Sequence, residues 1–203
     1  KLEGPINPDF NPEDMIRYSP RQVVLPPNGR QRIRLSLRRP PNLPDGEYHA
    51  HMLLQRLHES AGPRLSSGGP GGMQMDIGIN MGFAVPVLIR QGRYNANVTI
   101  SNPRFIAGDP NMRQPARLEV TLNRSGTHGA MGKLKVYWAA PGQQERQIGT
   151  LNNANIFSEI NYRTARIILT ESYIPGGTIR VTYEGDGPDK GIFYDEKSFP
   201  VGG

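Results

Sequence analysis

Cysteine is absent from this 203-residue chain. Its absence excludes disulfides and thiolate metal sites and leaves the compartment open. No apolar run approaches the roughly 18–20 residues that a membrane-spanning helix needs. Aromatic residues make up 7% of the chain and are not interleaved with the basic ones, which argues against a stacking platform for nucleic acid. The second half holds no credible helix, and GxSxG, P-loop and HExxH motifs are missing. The glycines at 68–72 are flanked by serine and proline, not set in the strand–loop–helix unit that cradles phosphate. Asp195 and Glu196 are neighbours in a strand pattern, so they face opposite ways and suit shared acid/base work poorly. No Ser/His/Asp constellation stands out. The sequence gives no reason to expect an enzyme, a cofactor or a metal centre.

Glycine (24) and proline (19) are spread along the chain, which suits many short strands joined by turns. Apolar residues reach 36%, enough for modest cores and too many for a disordered chain. The formal charge is +6, divided evenly: 11 basic and 8 acidic residues in 1–92, 13 and 10 in 93–203. Mixed signs in both halves argue against nucleic acid as a partner. The densest basic run, RQRIRLSLRR at 30–39, alternates arginine with Ile33, Leu35 and Leu37. It reads as a strand with a solvated basic face or, alternatively, as a specific anion-binding surface.

The longest regular pattern is DIGINMGFAVPVLIR, residues 76–90. Large apolar residues occupy every odd position: Ile77, Ile79, Met81, Phe83, Val85, Val87 and Ile89. Period-2 alternation predicts a β-strand with one apolar face, more than twice the usual five or six residues. Such a strand either is core leading into a linker or is built to pair with something. Upstream, the pattern predicts loop over 1–14, short strands at 16–18, 22–25 and 30–38, and a strand at 47–57. Residues 58–75 are Gly/Ser/Pro-rich and flexible by composition; they join 47–57 to the long strand as a hairpin. Eight further strands are expected at 95–101, 117–123, 133–139, 146–151, 156–160, 165–170, 178–183 and 192–199. About seven or eight strands in some 110 residues is a sandwich signature.

His49 and His51 share a strand face two residues apart. That spacing permits metal chelation, but no third ligand is evident nearby, so a solvated pair is the expectation. His58 and His128 sit in loop-like segments without a motif. Asn97-Val98-Thr99 and Asn123-Arg124-Ser125 match glycosylation sequons.

Three segments together resemble the periplasmic chaperones of pilus (fimbrial) assembly by the chaperone–usher route. They are IRYSPRQVVLPPNGRQRIRLSLRRPPNLPDGEYHAHMLL (16–54), AVPVLIRQG (84–92), and LEVTLNRSG (118–126) with the strand that follows it and carries Trp138. The resemblance implies an all-β protein of two immunoglobulin-like sandwiches in a boomerang, residues 1–91 and 92–203. It begins partway through the family's first domain, which implies that further N-terminal strands complete that domain. The implied function is donor-strand complementation in the periplasm of a Gram-negative bacterium. The chaperone lends an edge strand to a pilus subunit and delivers it to the outer-membrane usher. Carried over by position, the subunit-binding donor residues are Ile77, Ile79, Met81 and Phe83 on strand 76–90, and Arg90 is the interdomain residue. No cofactor, metal, nucleic acid or membrane span is implied. The free protein is expected as a monomer, or as a self-capped or swapped dimer. One departure stands out: Pro86 occupies the place of the family's cleft lysine. A structural or adhesive sandwich of a surface appendage is the alternative reading.

Overall fold

A computed structural model describes residues 12–57, 81–109 and 114–201. The chain is all-β, built of several antiparallel sheets.

The 96–201 part contains two sheets. β5 (Ala96–Ile106), β6 (Arg117–Gly126) and β9 (Tyr162–Ile168) form one, in the order β5-β6-β9. β7 (Gly132–Ala139), β8 (Arg146–Leu151), β10 (Gly177–Gly185) and β11 (Phe193–Val201) form the other, in the order β11-β10-β7-β8. Alternation along each strand sends one residue in two inward. Leu118, Val120 and Leu122 of β6 meet Leu134, Val136 and Trp138 of β7 and Ile179, Val181 and Tyr183 of β10 in a single buried cluster. Two sheets sharing one core in this way are consistent with a β-sandwich. β5 runs past the expected end at 101. A register shift between Ser101 and Arg104 absorbs Pro103, which has no N–H to donate, and Asn102 takes φ +49° there.

The 12–91 part is thinner. A single helical turn, α1 (Pro12–Met15), replaces the expected loop at its start. It opens on proline and carries Glu13 and Asp14 in its first turn, both favoured at a helix N-terminus. β1 (Ile16–Ser19) and β2 (Arg34–Leu37) pair antiparallel. The strand expected at 22–25 does not form, and the arginine strand expected at 30–38 shrinks to four residues, Arg34–Leu37. Prolines at 20, 26 and 27 break up the intervening backbone. β3 (Gly46–Gln55) and β4 (Gly82–Gln91) pair antiparallel from Gly46↔Gln91 to Gln55↔Gly82, so the expected hairpin forms. Its connection, with Ile77 and Ile79, lies outside the described residues. Residues 156–160 supply only a bridge from Ile156 to Ala130 in place of the expected strand.

Apolar burial differs sharply between the two parts. Met15, Leu43 and Ile89, with Ile16 and Tyr48 against them, are the only buried cluster outside the larger core among the described residues. Met52, Leu54, Phe83 and Val85 continue the same face of the hairpin, yet Phe83 is 69% exposed and Val85 41%.

Candidate functional site

Two features of the β3–β4 hairpin carry chemistry: a charged cluster at its base and an open apolar edge toward its tip.

The base is built around Arg90. Register places Glu47 of β3 directly opposite Arg90 of β4, and Arg90 Nε donates to Glu47 Oε2 at 2.9 Å. The other end of the guanidinium forks onto Asp189, Nη1 to Oδ1 and Nη2 to Oδ2, the latter at 3.2 Å. Asp189 ends a 3-10 turn, Gly187–Asp189, between β10 and β11. Its carboxylate also accepts from Met131 N–H at 2.7 Å and from the Tyr194 hydroxyl at 2.9 Å. The Tyr94 ring lies under the guanidinium at 4.8 Å. Arg90 therefore ties β4 to the β10–β11 connection through two carboxylates that are almost wholly removed from water.

Burial alone would raise the pKa of both acids, but the charged and hydrogen-bonding partners reverse it. Asp189 is held below the usual carboxylate range by Arg90, the Met131 amide and Tyr194. Glu47 is held low by His49 and Arg90. Burial of the Tyr94 hydroxyl beside Asp189 pushes it up to about 12.

The second oxygen of Glu47 meets His49 Nε2 at 2.9 Å, while His49 Nδ1 faces Glu159. An imidazole with carboxylates on both nitrogens donates from both, which is the imidazolium form. Burial works against that charge, but the two carboxylates prevail and raise the pKa to about 9. The expectation of a solvated histidine pair is therefore corrected. His51 is exposed, but His49 is a half-buried cation against Phe157. Among the described residues no His/Asp/Glu group is arranged to hold a metal.

Sequence reasoning missed the groups beneath this cluster. Arg124, read only as the middle of a sequon, is 7% exposed. It donates to the carbonyls of Gly126, His128, Ser158 and Ile160, locking two loops under Glu47 and Glu159. His128 is fully buried and receives the Asn95 N–H on Nδ1, which leaves Nε2 to donate to Gln91 O at 3.1 Å. Gly129 is glycine for want of room: a Cβ there would strike the Glu47 carboxylate and lie 2.9 Å from Ile156 O. Asp195 and Glu196 do diverge, Asp195 to the Ile100 amide and Glu196 to Arg180.

At the tip, Arg56 N–H donates to Met81 O at 3.1 Å, in register with the hairpin. Antiparallel ladders alternate, so 81, 83, 85, 87 and 89 bond toward β3 while 82, 84, 86, 88 and 90 turn outward. Pro86, which has no N–H, thus sits where no bond to β3 is lost. Outside it the edge of β4 is unpaired among the described residues, with Met81 64% exposed and Phe83 69%.

No protein-family model matches the chain, and no curated protein matches it.

Proposed function

We propose that the chain is a non-enzymatic periplasmic chaperone of pilus assembly that lends the outer edge of β4 to a subunit and passes it to an outer-membrane usher. In this reading the parts before and after residue 91 are immunoglobulin-like domains set at an angle, with Arg90 at their junction. The observation that carries the proposal is the edge itself. Among the described residues the outer edge of β4 is unpaired and offers the outward amides of Gly82 and Ala84, and Met81 and Phe83 beside them are largely exposed. Exposed apolar strand edges normally invite aggregation and are blunted; in the described strand Gly82–Gln91 a proline, Pro86, blunts the edge, beyond the proposed donor segment. A subunit strand pairing there would gain backbone hydrogen bonds for affinity and pockets for alternate side chains.

Burying Met81 and Phe83 contributes about 1.5–3 kcal/mol each. Association costs at least about 4 kcal/mol, so those two residues roughly break even. Ile77 and Ile79, which complete the proposed donor set, are needed to supply the surplus. The test is co-expression of the complete protein with a pilus subunit that lacks its final strand, followed by native mass spectrometry. A one-to-one complex is expected, and Ile79→Asp or Met81→Asp removes it. Normal capture by either variant would defeat the donor assignment.

A further inference from the structure

The stretch from Arg17 to Arg39 contains seven arginines, no lysine and no acidic residue. The rest of the chain has a formal charge of −1, so this stretch accounts for the whole positive balance of the protein. The register of the β1–β2 ribbon sorts it into two faces: Ile16 and Tyr18 lie across from Leu37 and Leu35, while Arg17 and Ser19 lie across from Ser36 and Arg34. Arg30, Arg32, Arg34 and Arg38 are all exposed. No salt bridge among the described residues engages any of these four arginines. At the end of the ribbon where residues 20–33 connect the two strands, Arg30, Arg32 and Arg34 line one cleft of about 880 Å³ together with Ser19, Pro20 and Gln31.

Three like charges lining one cleft repel one another unless an anion lies between them. Exclusive use of arginine points to forked recognition of an oxyanion, since lysine would serve as well for a diffuse field. Nucleic acid fits poorly, because the aromatic ring of the ribbon, Tyr18, lies on the opposite face with Arg21 over it. A row of carboxylates on an extended peptide would match arginines spread along a strand, whereas these three line a single cleft beside a hydroxyl. We propose that the cleft bounded by Ser19, Arg30, Arg32 and Arg34 binds a compact phosphoryl anion, either free phosphate or the phosphorylated headgroup of a lipid. This site is separate from the β4 edge and does not depend on the chaperone reading.

The experiment titrates the full chain with pyrophosphate by calorimetry at low and moderate salt. The parent should bind saturably. The Arg30→Gln/Arg32→Gln/Arg34→Gln variant should bind about tenfold more weakly or worse, since several charge-assisted hydrogen bonds are lost. A control, Arg93→Gln/Lys190→Gln/Lys197→Gln, removes the same net charge from exposed sites elsewhere and should bind as the parent does. Arg32→Lys, which keeps the charge and loses the fork, should also bind more weakly, and circular dichroism should be the same for all four proteins. A second arm uses phosphatidylglycerol vesicles against phosphatidylcholine vesicles. Vesicle binding that pyrophosphate displaces identifies a headgroup source; pyrophosphate binding without vesicle binding identifies free phosphate. Absence of saturable binding to the parent would overturn the proposal. So would equal loss in the two triple variants, or a hexaglutamate peptide binding as tightly as pyrophosphate.

Discussion

Replacing Arg90 with methionine keeps most of the side chain's length and removes its charge. Glu47 and Asp189, with side chains 0% and 1% exposed, would then be buried carboxylates short of a counter-charge. Breaking a buried pair in this way costs about 3–5 kcal/mol, because one charge is left uncompensated. Glu47 keeps His49, and Asp189 keeps the Met131 amide and Tyr194, so the lower end, about 3 kcal/mol, applies. That is a large share of a typical stability of about 5–15 kcal/mol. The loss should also be local. Urea unfolding should show a lower midpoint, and native-state hydrogen exchange should show β3 and β4 amides exchanging faster. Amides of β6, β7 and β10, in the large core, should keep their protection. Both carboxylates have depressed pKa values in the folded parent, so their contribution is present above the unfolded carboxylate range and lost as pH falls through the folded values. The gap between parent and variant should close on acidification. A variant within about 0.5 kcal/mol of the parent, or one in which protection falls equally in every strand, would refute the reasoning.

Two further predictions come from the same cluster. Two flanking carboxylates raise the folded pKa of His49 from the ordinary histidine value of 6.5 to about 9, so its contribution is complete below about pH 6.5 and fades as pH rises through 9. Urea titrations across that range should show a loss of up to about 3 kcal/mol in the parent and a flatter profile in His49→Gln. Gly129→Ala forces a methyl group against the Glu47 carboxylate and the Ile156 carbonyl. It should cost about 1–3 kcal/mol by thermal or urea unfolding, while alanine at exposed Gly142 meets no atom within 4 Å and differs only through its backbone strain.

Where alternation was strict, the strands were legible in the sequence. Leu118, Val120 and Leu122, or Leu134, Val136 and Trp138, declare an inward face because each buried residue is flanked by half-buried ones. The hairpin was legible for the same reason. Strands predicted from short apolar runs failed at 22–25 and 156–160, where prolines or a lone bridge left no ladder to join. Pattern also gives the face of a side chain without saying what packs there. The strand pattern alone predicts a solvated His49, because nothing within that strand reveals Glu159, 110 positions away. Asp189 falls between the strands expected at 178–183 and 192–199, and its pairing with Arg90 spans 99 positions. Arg124 and His128 carry no signal in the sequence because most of their partners are backbone carbonyls and amides.

The central claim concerns the outer edge of β4, and amide exchange reads that edge residue by residue. The complete protein would be compared free and in complex with a pilus subunit that lacks its final strand. The account predicts that the outward amides of Gly82 and Ala84 become strongly protected in the complex. It also predicts that Phe83→Asp abolishes both the complex and that protection, with the large core unchanged. A complex that forms while Gly82 and Ala84 exchange as freely as before would contradict it.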